Sequence, residues 1–273
     1  RRERRSVPVA EWMASERERI VGSGTALDCD FVEPVRRMYA ESMRLSPAWA
    51  EEFRSFWSLP DDFAFDVPTP TVDVTERLLK GRNPEELQRQ PRTEVDYELP
   101  DAVPGGPEPV STETLSALLD GELPARQVRE LQAGFKDGER FRTYLRVLTE
   151  RWPSAEDRIL LPFGLHMCIV EQPDGSRVVK SDSGHVFGDY RQNWKLNARI
   201  YVRRDRDSML EIFPDKMHPD PGWNELREYY DPVSFRLLDV ESVPPGYPVV
   251  HDFLPDLEAF YSKWLGEPLE PAR

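Results

Sequence analysis

Eight prolines fall between residues 67 and 110, at Pro68, Pro70, Pro84, Pro91, Pro100, Pro104, Pro107 and Pro109, with Gly105-Gly106 near the end. Proline removes a backbone donor and pushes the residue before it out of the helical region, so few regular elements survive at this density. Residues 67–110 read as a linker or as an extended arm wrapping a neighbouring surface, with one short helix candidate from Val74 to Lys80. A chain of 273 residues is thereby divided into a first region, 1–66, and a second, 111–273. Hydrophobic residues make up 39%, enough for a core in either part.

The first region is predicted to be a helical extension. Val35, Met38 and Tyr39 recur at helical spacing after Pro34, and Ser46-Pro47 offers a hydroxyl cap followed by proline at the first helical position. The segment behind it puts Trp49, Phe53, Phe56 and Trp57 on one face. Burying each such ring is worth about 1.5–3 kcal/mol, so the face is either core or a partner interface. A region this short has little interior of its own, which makes the four aromatics candidates for docking onto a partner.

The second region is predicted to be α+β: helices, then a small antiparallel sheet, then a C-terminal helix. Ser111 and its neighbours offer caps ahead of Leu115, Leu118 and Leu119. Pro124 opens a second helix stopped by Gly134, and a third carries Phe141, Tyr144, Leu145, Leu148 and Trp152. The period then changes to two. Ile159–Val170 and Arg177–Lys180 flank the turn signal Pro173-Asp174-Gly175-Ser176, Leu196 to Val202 alternates, and Phe235–Val240 reads as a further strand. Leu257, Phe260, Tyr261 and Trp264 define the last helix, ended by Gly266.

A net charge of -14 repels phosphate backbones and anionic lipids, so nucleic acid and membrane are poor partners. No run of about eighteen apolar residues spans a bilayer, and Arg1 to Arg5 lead into no secretory signal. The only cysteines are Cys29 and Cys168, far apart and without a Cys-x-x-Cys partner, which fits a cytoplasmic protein. Phosphate-loop, dinucleotide-binding and nucleophile-elbow motifs are absent. Among the four histidines, His166 is expected in a strand and His218 in a loop. His251-Asp252 reads either as an orienting pair for a general base or as the cap of the last helix, with Asp252 as the capping residue. His185, inside Ser181-Asp182-Ser183-Gly184-His185, is the histidine with the most suggestive neighbours.

From about Ser111 onward the chain resembles the gamma subunit of acetone carboxylase. The resemblance is carried by Leu160-Leu161-Pro162-Phe163-Gly164, by Asp189 to Leu196, by Ala198-Arg199 and by Trp223 to Tyr229. Asp239-Val240-Glu241, Tyr247 to Phe253 and Trp264-Leu265-Gly266 complete it. It implies a non-catalytic assembly subunit of an ATP-dependent, biotin-independent ketone carboxylase acting on acetone, acetophenone or a related ketone. Two large subunits similar to the hydantoinase A and B family would then hold ATP, bicarbonate and a divalent metal and perform the chemistry. An accessory subunit of an ATP-dependent hydantoinase or lactam amidohydrolase, and a stand-alone scaffold, are the alternatives.

Such gamma subunits carry a structural zinc in a Cys-x-Cys-Gly-His element with a further cysteine, and a Cys-Pro-x-Cys-Gly element. The matching positions here are Ser181, Ser183 and Gly188, then Asp231 and Ser234, with His185 alone retained. Neutral hydroxyls are poor zinc ligands, so the resemblance implies a degenerate site with no zinc. The expectation is that hydrogen bonds among Ser181, Ser183, His185 and Asp231 replace the metal, leaving His185 and Asp231 as the remaining metal-capable donors.

Overall fold

The computed structural model describes residues 5–22, 46–60, 109–134, 138–214, 217–221 and 224–269. The helix expectations around residues 35–39 and 74–80, the proline-dense stretch before residue 109, Cys29 and Trp223 lie outside them.

In chain order the elements are β1 (Val7–Pro8), α1 (Val9–Gly22), α2 (Pro47–Trp57), α3 (Thr112–Leu119), α4 (Ala125–Ala133) and α5 (Gly138–Arg151). Four strands follow: β2 (Arg158–Pro162), β3 (Met167–Glu171), β4 (Arg177–Ser181) and β5 (Val186–Asp189). A 3-10 turn at Trp194–Asn197 leads into β6 (Arg199–Arg203), α6 (Arg206–Leu210), β7 (Glu225–Tyr230) and β8 (Leu237–Val243). The last helix starts as α7 (Leu257–Ala259) and runs on as a π-helical segment, Phe260–Leu265. The fold is α+β, with two four-stranded antiparallel sheets among the described residues, β1-β6-β7-β8 and β2-β3-β4-β5.

The chain packs as two units. One takes the described residues before 61 together with Lys195–Val250, and the other takes 109–194 and the chain from His251. This division differs from the one read in the sequence, which kept 111–273 as one domain and set 1–66 apart. Sequence proximity favoured the cut at the prolines, whereas α1 and α2 find their interior on strands nearly two hundred residues later.

In the first unit, α1 buries Val9, Trp12, Glu16 and Ile20 along one face, and α2 buries Ala50, Phe53 and Trp57. The start of α2 is the one predicted: Ser46 Oγ accepts from Trp49 N at 3.3 Å, with Pro47 at the first helical position. Phe53 and Trp57 are each 1% exposed, so they are interior residues here and cannot be the partner surface proposed for them. Trp57 Nε1 donates to Gly246 O at 3.2 Å and its ring meets Trp12 edge-on. Trp49 and Phe56 are half-buried, Trp49 lying 6.4 Å from the Tyr247 ring.

In the second unit, α5 lays Leu145, Leu148 and Trp152 over Ile159, Cys168, Val170 and Val178 of the β2–β4 sheet. The β3–β4 hairpin closes at the predicted turn, where Gly175 takes a positive φ of 85°. The segment read as Ile159–Val170 is two strands, broken at Phe163–His166. The last helix is tied to the sheet by Tyr261 OH, which donates to Leu160 O at 2.7 Å. Its cap is Asp256, whose carboxylate accepts from Ala259 N at 2.9 Å, not Asp252 as expected. The helical segment starts at Leu257, four residues beyond the position where Asp252 would cap it.

Candidate functional site

The segments that carry the resemblance supply most of a buried network of ionisable groups in the first unit. Lys195 is fully buried, and its Nζ lies 2.5 Å from Glu241 Oε1 and 2.9 Å from Asp239 Oδ2. Tyr229 OH donates to Glu241 Oε2 at 2.8 Å, and the Lys195 ammonium stands 5.2 Å from the Tyr229 ring centre. One strand away, Arg227 is also fully buried; its Nε donates to Glu225 Oε1 at 2.8 Å and its Nη2 to Tyr247 O at 2.5 Å. Arg203 pairs with Glu228 at 2.7 Å, and Arg204 reaches Glu225 at 3.4 Å.

All six residues of β7, Glu-Leu-Arg-Glu-Tyr-Tyr, are buried. Charges are tolerated in such a strand when each is matched by an opposite charge, as Glu225 is by Arg227 and Arg204 and Glu228 is by Arg203. Burial works against the Lys195 ammonium, but its hydrogen bonds to Glu241 and Asp239 outweigh that and raise its pKa. The amine is therefore held protonated and has no free pair with which to attack a carbonyl or take a proton. Burial together with the Glu241 charge raises the Tyr229 phenol as well, keeping it neutral.

The positions matching the zinc elements fall in both units. In the second unit, β4 ends at Ser181, which is fully buried, and the chain reverses through Gly184, whose φ is 91°. Ser181 N donates to His185 O at 2.9 Å and Gly184 N to Ser181 O at 3.0 Å. The hydroxyls of Ser181 and Ser183 are hydrogen-bonded to each other at 2.9 Å. His185 stacks edge-on against Phe187 at 4.7 Å, and Gly188 contributes no side-chain donor.

In the first unit, Asp231 and Ser234 belong to a tight turn between β7 and β8. Asp231 Oδ1 accepts from Val233 N and Ser234 N, both at 2.7 Å, and Phe235 N donates to Asp231 O at 3.0 Å. Phe235 adopts a φ of 55°, a left-handed conformation that glycine takes freely and a bulky residue takes at a cost of about 1–2 kcal/mol. The resemblance implies a glycine at this position, a residue that takes such a φ without that cost. The Asp231 carboxylate does for these two amides what a thiolate would: it offers them a negative acceptor.

As a donor set for zinc these residues are a poor fit. Two serines bound to one another, a glycine and a carboxylate already accepting two amides replace the thiolates that close a structural site. The remaining described thiol, Cys168, is buried on β3, and burial followed by the Asp182 charge pushes its pKa up to about 12. His166 lies in the bend before β3 rather than in a strand, paired through Nδ1 with Asp182 at 2.8 Å. His218 is in a loop as expected, with Nδ1 beside Pro219 O at 2.9 Å.

Each unit also holds a pocket. One, of about 320 Å³ in the second unit, is lined by Leu115, Phe141, Tyr144, Leu161, Phe260 and Trp264 and is almost wholly apolar. The other, about 480 Å³ in the first unit, is lined by Tyr201, Ile212 and Leu226 together with four charged groups, of which Glu211 pairs with Arg5 and Arg203, and Glu228 with Arg203. No described helix is long and apolar enough to cross a membrane.

Sequence reasoning found Lys195, Arg227, Tyr229, Asp239 and Glu241 only as letters of a pattern. Opposite-charge pairing between segments distant in sequence is not visible along any one of them.

Comparison with known proteins follows the same residues. The family model for the acetone carboxylase gamma subunit matches residues 154–265. The acetone carboxylase gamma subunit of Xanthobacter autotrophicus is 44% identical over 153 residues, 56% of this chain and 90% of that protein. The acetone carboxylase alpha subunit of the same organism is 41% identical over 81 residues, 26% of this chain but 10% of that protein. The acetophenone carboxylase beta subunit of Aromatoleum aromaticum is 24% identical over 84 residues, 30% of this chain and 65% of that protein. With nearly the whole of a gamma subunit aligned, and the buried network of β6–β8 inside the matched residues, the chain belongs to the acetone carboxylase gamma subunit family.

Proposed function

We propose that the chain is a non-catalytic assembly subunit of an ATP-dependent, biotin-independent ketone carboxylase in the cytoplasm. In this reading two large hydantoinase A/B-like subunits hold ATP, bicarbonate and a divalent metal, and convert acetone, acetophenone or a related ketone to a β-keto acid. The reading is supported above all by what the ionisable residues of the signature do. Lys195 is engaged with Glu241 and Arg227 with Glu225 in the interior of the first unit, and Lys195 and Tyr229 meet at Glu241. Phosphoryl chemistry calls for phosphate clamps and magnesium ligands facing an open site, and those four charges are spent elsewhere. The relatives, themselves carboxylase subunits by name, supply the reaction class.

The same reading holds that this member works without the structural zinc. In it, the Ser181–Ser183 hydrogen bond and the Asp231 turn take over the tie that a metal would provide.

The test is purification of the tagged chain from its own host, with native mass spectrometry and metal analysis of one sample. Two large subunits in the same particle, ketone-dependent ATP hydrolysis that also requires bicarbonate, and no stoichiometric zinc are expected. A lone chain would overturn the subunit assignment, and hydrolysis indifferent to bicarbonate would move the complex to amidohydrolase chemistry.

A further inference from the structure

Half of the first unit's interior comes from residues that the gamma-type match does not contain. An alignment of 153 residues that takes in the family match at 154–265 stops short of α2, yet it already accounts for 90% of the gamma relative. The gamma-type part of the unit is β6, α6, β7 and β8, a three-stranded sheet that α1 and α2 close.

The seam between the two parts has the features of a docked segment rather than of a continuous fold. β1 adds to the edge of β6 in antiparallel register, Val7 opposite Ile200 and Pro8 opposite Arg199, and Val9 N donates to Ala198 O at 3.0 Å. Strand addition of this kind draws affinity from main-chain hydrogen bonds and covers an edge that would otherwise invite aggregation. Trp12, Phe53 and Trp57 are the buried anchors, with the Arg227 guanidinium 4.9 Å from the Trp12 ring centre. Glu16, 3% exposed, is met across the seam by Arg204 at 3.1 Å. Arg199 hydrogen-bonds Ser6, and Arg5 pairs with Glu211. Arg5 and Glu16 on the segment thus find their opposite charges, Glu211 and Arg204, on the gamma-type side.

The alpha-subunit comparison offers an identity for such a segment. A stretch of 81 residues, about a quarter of this chain, matches a tenth of an alpha subunit at 41% identity, and the gamma-type match leaves room for it before residue 109. We infer that residues 5–60 carry an alpha-type segment. By the same inference the β6 edge of the gamma-type sheet, with the face under α1 and α2, is a docking site for the alpha subunit, filled in this chain by its own N-terminal part. In a complex with separate chains the same site takes the corresponding alpha segment in trans. The inference rests on the carboxylase-complex reading, and it adds the surface by which the gamma-type subunit holds its large neighbour.

Two measurements test it. In the full chain, a specific protease site is inserted at Gly105-Gly106 and cut. The pieces are expected to co-elute at low micromolar concentration, and Trp57→Ala, which removes an anchor, is expected to lower their affinity at least tenfold. Separation of the cut wild-type pieces would overturn the docking site, even where the uncut chain still purifies with large subunits. In the Xanthobacter holoenzyme, cross-linking with mass spectrometry is expected to join the alpha stretch matching this chain to the gamma residues aligned with Arg199–Arg203. Cross-links from that stretch to other surfaces alone would overturn the alpha assignment. Failure of the complex reading itself would show differently, as absence of large subunits or of bicarbonate dependence.

Discussion

Lys195 is a lysine that cannot act as a base, and the same contacts that silence it make it costly to lose. Replacing it with methionine leaves Glu241, 9% exposed, and the half-open Asp239 facing an apolar side chain. Removing one partner of a buried pair costs about 3–5 kcal/mol, and the partial exposure of Asp239 places Lys195→Met near the lower end. Urea denaturation followed by tryptophan fluorescence is expected to show a loss of about 3 kcal/mol. Because its folded pKa is raised, this contribution is complete below the ordinary lysine value and fades only as pH climbs through the folded one. Cys168 is inert for a related reason. With its thiol pushed up to about 12, peptide mapping after iodoacetamide at neutral pH is expected to leave it unmodified in the folded chain and alkylated in urea. Substantial labelling in the folded chain would mean that β3 opens readily. The serine pair offers the reverse experiment. Ser181→Cys with Ser183→Cys places two thiols beside His185, and the double variant is expected to retain zinc through dialysis where the wild type does not.

At the scale of elements, N-terminal signals and turns were legible, while pairings distant in sequence were not. Ser46-Pro47, Ser111 and the turn at Pro173–Ser176 act within a few residues, and the structure has the α2 cap, the α3 cap and the β3–β4 hairpin there. β7 was not read as a strand, because Glu225, Arg227 and Glu228 interrupt any apolar alternation, and pairs such as Arg203–Glu228 and Arg204–Glu225, distant in sequence, are what make it buriable. The aromatic face of α2 was read correctly as something that must be covered, but its cover is the α1–β6–β7 side of the first unit. For the same reason the degenerate metal positions could be named from a resemblance but not their substitutes, the Ser181–Ser183 bond and the Asp231 turn. The helix α1 carries its own pH dependence. Burial alone would raise the Glu16 carboxyl, but Arg19 and Arg204 hold it below the ordinary range, and hydrogen bonds from Arg5 and Arg203 bring Glu211 down to about 2. Depressed carboxylates stabilise fully above their unfolded pKa, about 4.3, and lose that contribution as pH falls through the folded value. Acid titration is therefore expected to loosen α1 below about pH 4, with Trp12 fluorescence shifting red. Glu16→Gln is expected to flatten that transition, and an unchanged curve would show that the two carboxylates do not hold the segment.

For the whole molecule, an assembly subunit and a catalytic one respond differently to damage on the surface. Leu165, between β2 and β3, is 90% exposed, and Phe253 and Leu254, ahead of the last helix, are 52% and 57% exposed. All three lie in or beside the segments of the resemblance, and in the assembly reading they are among the apolar side chains available for contact with another subunit. Phe253 is itself supported from below by the Phe163 ring at 5.5 Å, so it is presented rather than frayed. Placing a carboxylate at Leu165, 90% exposed, removes little internal contact, and the folded chain is expected to keep its urea midpoint within the range of surface substitutions. A charge forced into a desolvated interface weakens association by several kcal/mol, so Leu165→Asp is expected to lower the amount of complex recovered. If the chain only assembles, carboxylation will fall in proportion to the complex lost, and turnover per assembled particle, measured after sedimentation, will equal the wild type. A fall in turnover per particle at full assembly would place this surface at the chemistry and remove the reading of the chain as a purely structural subunit.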